Sequence, residues 1–402
     1  MKKIALMLAL VVVANIAVAQ SLNVTSAREA EHRGYLDKAK KLIDPACENE
    51  QTMNDAKTWY YAALIYSRIG AEQTNPRSKY KGLDPNWLEK CKNAALRCKE
   101  LDTDKEYADG NNTILGFAGN EYYMKAIELW NEQKYEECMT TCEESVKLFN
   151  ESAKKEFADQ AYLLAGKAAY YAKNTEACQK YFKTLVRHKT KDNFVYTTLF
   201  NMYKNAGDTN EAIKTAQNYV KFCPKDYKAN LMMAQAYLIK GNLEQGTEEI
   251  NKAVTMTDTN PSVNAEVLAL AGATYESVNN LTEAENNYKK SLAISNNQFV
   301  ANFGLGKMFY NHAVDKLSIV TDDFDLMAQY EEEAKGFFRQ AIPYLNNAIS
   351  FIDNLSSDAQ NANRQNLYAC LNALSTIYAR LEMYDDLKPI KARIESIEKN
   401  AQ

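Results

Sequence analysis

Tyr203-Lys204-Asn205-Ala206-Gly207-Asp208, with Glu211-Ala212 behind it, returns 34 residues later as Tyr237-Leu238-Ile239-Lys240-Gly241-Asn242, followed by Gly246. A third copy lies at Tyr275 with Asn279-Asn280-Leu281-Thr282-Glu283-Ala284, and Phe309 stands another 34 residues beyond Tyr275. In each unit an aromatic precedes a turn and a small residue falls nine positions later. A fixed period of this length marks an array of supersecondary units, each leaving an apolar face that only its neighbour covers.

Composition agrees with helices. Among 402 residues there are 14 Gly and 7 Pro, about 5% against ~12% in an average chain. Sheet folds need turn residues every 8 to 12 positions, and disordered chains need more Gly and Pro, so an all-α fold follows. Lys plus Arg is 48 and Asp plus Glu 52, a net charge of −4; this lacks the basic excess of a nucleic-acid binder.

The spacing and residues resemble the tetratricopeptide repeat, a helix-turn-helix unit with small and aromatic residues at fixed places. Leu199, Tyr203, Gly207, Ala212 and Pro224 make an almost complete unit, Met233-Ala234, Tyr237, Gly241 and Ala253 the next, and Leu268, Gly272, Tyr275, Ala284, Tyr288 and Ser291 the one after. Trp59, Ala63 and Tyr66 look like half a unit. Looser copies fall on Leu129, Tyr135 and Cys138, on Leu164-Ala165 and Ala177-Tyr181, and on Leu374-Ser375 and Tyr378. The resemblance implies roughly nine helix pairs, stacked as a right-handed superhelical solenoid with a concave, ligand-holding face.

The period breaks twice. Residues 71–86, with Pro76, Gly82, Pro85 and several Lys and Arg, form a loop insertion. Between Ala313 and Ala341 the excess is 23 residues without Gly or Pro before Gly336; both helices are expected to lengthen, by about 11 residues each, and to turn near Thr321 to Asp323. The chain thus divides into a signal peptide (1–19), degenerate N-terminal repeats (20–110), a regular array (117–298), a repeat with an elongated helical hairpin (299–355) and a C-terminal capping repeat (363–402).

The signal peptide rests on Lys2 and Lys3, the apolar run Ile4 to Ala14 and the small-x-small ending Ala17-Val18-Ala19. The run is shorter than the ~20 residues that span a membrane. A mature protein beginning at Gln20, periplasmic or secreted, is expected. A lipid anchor needs Cys directly after cleavage, and the first Cys is Cys47.

Eight cysteines invite disulfides, but Cys91, Cys98, Cys138 and Cys142 occupy small or core places of the repeat, where thiols pack as hydrophobes. His32, His188 and His312 are scattered singly. No phosphate loop, zinc-protease motif or nucleophile elbow is present, so no enzyme activity, cofactor or metal is expected. From the repeat register, Tyr60, Arg68, Tyr123, Trp130, Tyr162, Tyr170, Asn201 and Lys204 are the candidate partner-binding residues, with Thr197, Leu231, Gln235, Lys307 and Tyr310 also inward. The carboxylate clamp of some tetratricopeptide proteins uses a Lys at the fifth place, and here the fifth places read Tyr60, Tyr123, Tyr162, Thr197 and Leu231. The expected function is a non-enzymatic scaffold of the cell envelope that binds a protein or peptide on its concave face, the alternative being a helical glycan-uptake binding protein of the outer membrane.

Overall fold

The computed structural model describes residues 23–73, 75–152, 154–257 and 260–399; the expected signal peptide lies outside them. Among these residues the regular structure is helical, with no strand. Residue contacts divide the chain into two units, Met1–Thr190 and Lys191–Gln402.

In the first unit, α1 (23–32) and α2 (Leu36–Glu48) precede α3 (Ala56–Ala71), α4 (Trp87–Leu101), α5 (Ala108–Asn131), α6 (Tyr135–Glu151), α7 (Ala158–Tyr171) and α8 (Thr175–Arg187). First helices of successive pairs, α3, α5 and α7, pack on one another, and each also packs on its own second helix. The second unit holds α9 (Asn193–Asn205), α10 (Thr209–Phe222), α11 (Tyr227–Ile239), α12 (Leu243–Thr255), α13 (Pro261–Glu276), α14 (Leu281–Ile294), α15 (Phe299–Leu317), α16 (Phe324–Asp353), the short α17 (Ser357–Ala362), α18 (Arg364–Arg380) and α19 (Tyr384–Lys399). One continuous apolar core runs through it from Leu231 to Leu387. The nine expected pairs are all present among the described residues.

The 34-residue spacing has a local cause. α9, α11 and α13 begin at Asn193, Tyr227 and Pro261, and each pair closes on the same turn. A residue with positive φ (Gly207, Gly241 or Asn279) ends the first helix, while Asp208, Asn242 or Asn280 caps the second by accepting from the backbone N–H of Glu211, Gln245 or Glu283. The amide of each cap residue also donates to the carbonyl five residues back, as Asp208 does to Tyr203 at 2.9 Å, which satisfies a helix-end carbonyl. The same turn recurs at Gln133 and Lys173, where non-glycine residues take the left-handed conformation.

Close packing then selects small residues. A Cβ on Gly166 would lie 2.1 Å from the Phe182 ring, and one on Gly272 2.6 Å from the Tyr288 ring. The cap Asn174 accepts from the Ala177 N–H and sets the α7–α8 register. Ala165-Gly166, Cys178 and Phe182 therefore fill the small and aromatic places, one residue on from Leu164-Ala165 and Ala177-Tyr181. Of the three tyrosines expected to fill equivalent grooves, Tyr203 and Tyr275 are buried, but Tyr237 is only half-buried. In that pair Leu238 packs against Gly246 instead.

The elongated hairpin turns where the sequence indicates, with Asp323 capping α16 through the Asp325 and Leu326 amides. Its extra length is shared unequally: α15 has 19 residues and α16 has 30, against 13 and 14 in α9 and α10. Pro343 lies inside α16, which continues to Asp353.

The insertion 71–86 is irregular but not a free basic loop. Tyr80 and Asp84 are buried. The Tyr80 hydroxyl donates to the Gly34 carbonyl at 2.6 Å, and Asp84 meets Lys90 at 2.8 Å and Lys40 at 3.3 Å.

Candidate binding surfaces

In the second unit the first helices present one cavity. Thr197 and Leu231 are 34 residues apart, as are Asn201 and Gln235, so the period brings equivalent positions of α9 and α11 side by side. With Leu270, Ala273 and Thr274 of α13 they line a cavity of about 410 Å³. Its floor is apolar, Phe200 and Met232 being buried beneath it. Its rim is polar: the Tyr227 hydroxyl donates to Glu266 Oε1 at 3.1 Å, Gln235 Nε2 donates to the Ser277 hydroxyl at 2.9 Å, and Lys228 adds an ammonium. An apolar floor with a few polar groups is the ordinary chemistry of a recognition site. Asn201 lines this cavity, whereas Lys204, half-buried one helical turn on, does not. Lys228, Met232, Glu266 and Leu270 went unnoticed in the sequence; they flank the inward positions, and the period gives no sign of which flanking residues reach in.

The first-unit candidates do not converge on one cavity. Tyr60 stacks on Tyr107, with ring centroids 4.9 Å apart and 29° between planes, and its hydroxyl fills the space a Cβ on Gly110 would take; burial pushes its phenol pKa up. Arg68 is exposed and pairs through Nε with Glu31 at 3.1 Å. Tyr123 is half-buried, and burial raises its pKa, with Cys142 and Cys138 adding to the effect. Tyr162, at the fourth place in the register set by Asn174, packs edge-on to His188 at 6.1 Å and beside Tyr181 at 6.4 Å; Leu163 takes the fifth place. Trp130 and Tyr170 belong to an aromatic cluster at the helix ends. Trp130 lies edge-on to Tyr135 and Tyr171, both at 5.4 Å, and Tyr170 is perpendicular to Tyr171.

All eight thiols are free, six of them buried. Burial pushes Cys91, Cys98, Cys178 and Cys370 up to about 12, so they stay protonated at neutral pH and lack the thiolate that nucleophiles and metal ligands require. The Cys142 thiol is likewise pushed up, beside Cys138. Among the described residues, no group of three or more His, Cys, Asp and Glu is placed to hold a metal, and no helix is long and apolar enough to cross a membrane.

Period, turn chemistry and interlocked small and aromatic residues together define an all-α solenoid of tetratricopeptide type. No family model matches the chain, and no curated protein matches it. Among solved structures it is similar to YrrB, described as a tetratricopeptide protein with an unusual peptide-binding site, at 18% identity over 45% of this chain and 88% of that one, with a TM-score of 0.33. It is also similar to the C-terminal part of a tetratricopeptide protein from Cytophaga hutchinsonii (13% identity, 70% of this chain and 99% of that one, TM-score 0.36), and to the apo form of RapI (10% identity, 95% and 98%, TM-score 0.40). The fold assignment rests on the repeat geometry and not on these likenesses.

Proposed function

We propose that this protein is a non-enzymatic scaffold of the cell envelope that holds a protein or peptide segment against the first helices of its second unit. The cavity between α9, α11 and α13 carries this reading. Three successive repeats supply equivalent positions to one surface of about 410 Å³, and a continuous core holds α11 and α13 behind it. Apolar side chains of the bound segment fill the floor over Phe200 and Met232, while Asn201, Gln235, Lys228 and Glu266 take up its backbone and polar groups. Such a surface needs no catalytic group. The export signal read from Lys2 to Ala19 supports the location.

A photo-crosslinking residue at Asn201 or Gln235, compared with one at the exposed Lys290 on α14, tests the surface in cells. Partner capture from the first two positions and not from the third is expected; equal capture from all three refutes the reading. N-terminal sequencing of the envelope protein tests the location, with Gln20 expected as the first residue and Met1 refuting it.

A further inference from the structure

The elongated hairpin carries a second, separate cavity. Arg380, the last residue of α18, and the outer half of the hairpin enclose about 280 Å³. Leu317, Met327 and Phe338 are among its apolar walls. Its charged lining consists of Lys316, Lys335 and Arg380 against one carboxylate, Glu331, a positive bias in a chain whose net charge is −4.

These cations are not equivalent. Lys316 is held by Glu333 at 2.6 Å, and Lys335 by Glu331 and Glu332 at 3.0 and 2.9 Å. Among the described residues no carboxylate pairs with Arg380, which is exposed at the cavity edge. The apolar surface also continues out of the cavity onto the hairpin tip, where Ile319 is 44%, Phe324 82% and Val320 95% exposed. Apolar residues so exposed on a protruding element mark an interaction surface.

We propose that the hairpin docks a segment of a partner protein that bears an apolar side chain beside a carboxylate. The side chain fills the cavity, the carboxylate pairs with the Arg380 guanidinium, whose planar fork matches it in two parallel hydrogen bonds, and neighbouring residues of the segment cover Val320 and Phe324. Charge complementarity selects an anionic group. The spread of apolar surface beyond the cavity selects a polypeptide over a small molecule.

The probe is a labelled peptide, Gly-Ser-Gly-Ser-Leu-Leu, with either a free C-terminal carboxylate or a C-terminal amide, titrated onto the full chain by fluorescence anisotropy. The acid is expected to bind at least about tenfold more tightly than the amide, the advantage of a charged hydrogen bond. R380Q, at an exposed position, should bring the acid down to the amide's affinity with helicity unchanged. I319D should weaken both peptides about tenfold, and Leu231→Asp, in the α9–α13 cavity, should weaken neither, which keeps this docking separate from the binding proposed above. Equal binding of acid and amide, or no binding of either at ~1 mM, overturns the proposal. Displacement of the peptide by decanoate at lower concentration overturns it in favour of a lipid. Self-association that I319D abolishes overturns it in favour of a second copy of this chain.

Discussion

Tyr288 is the tightest test of the repeat packing. Its ring is 1% exposed and wedged between the α13 and α15 backbones: a Cβ on Gly304 would lie 2.4 Å from its Cζ, and one on Gly272 2.6 Å from its Cδ1. Its hydroxyl donates to Glu276 Oε2 at 2.7 Å; burial and this bond push the phenol pKa up, so it remains a donor. Truncation to Ala should cost ~3–5 kcal/mol, the range for a large buried aromatic. Gly304→Ala alone should cost ~1–3 kcal/mol because the ring has nowhere to move. The two changes are not independent, since removing the ring removes the obstacle. In the Tyr288→Ala background Gly304→Ala should be neutral, or stabilising by up to ~1 kcal/mol, the helix-propensity advantage of Ala over Gly. Native-state hydrogen exchange of the α14 amides reads these differences without requiring the whole chain to unfold in one step. If the two costs add to within ~0.5 kcal/mol, the wedge is not what spaces these helices.

The carboxyl of Asp84 is pushed up by burial, but Lys90, the Asn86 amide and Lys40 outweigh this and hold it below the usual carboxylate range. A depressed folded pKa adds stability above the unfolded value of ~4, and this is lost as pH falls through the lower folded value. Asp84→Asn should therefore cost about 1–3 kcal/mol at neutral pH, and the gap should close below about pH 4; a gap that stays constant on acid titration refutes this. Lys173 holds φ at 58°, so Lys173→Gly should stabilise the first unit by ~1 kcal/mol in thermal melts, and a lowered midpoint would contradict the strain. Tyr203→Ala should destabilise by ~3–5 kcal/mol and Tyr237→Ala by clearly less, because only the former is buried; equal losses in denaturant titrations would restore their equivalence.

The period was legible where glycine marks the turn. Gly207-Asp208 and Gly241-Asn242 couple a left-handed residue to a cap, so Thr197, Asn201, Leu231 and Gln235 were placed correctly around one cavity. At α7–α8 the left-handed residue is Lys173, which has no glycine signature. Without that anchor Ala177 and Tyr181 resemble the motif as well as Cys178 and Phe182 do, and the one-residue slip moves Tyr162 from an inward to a packing position. The hairpin turn was legible from the run Thr321-Asp322-Asp323, but the division of extra length was not, because both helices have uniformly good helix formers. Tyr60 on Tyr107 and Arg380 beside Lys316 join residues 47 and 64 positions apart, and helical periodicity carries no information at that separation.

The insertion 71–86 changes how the N-terminal end of the first unit opens. A stack of helix pairs ordinarily frays from its ends, because a terminal pair has a neighbour on one side only. Here Tyr80 reaches back to the Gly34 carbonyl between α1 and α2, and Asp84 ties Lys40 of α2 to Lys90 of α4. α2 cannot peel away without also disturbing the connection between α3 and α4, so the first two pairs share one opening event. The cooperative length at this end is doubled by a loop that adds no helix, and a protease acting on frayed ends would meet four helices where the repeat alone would offer it two.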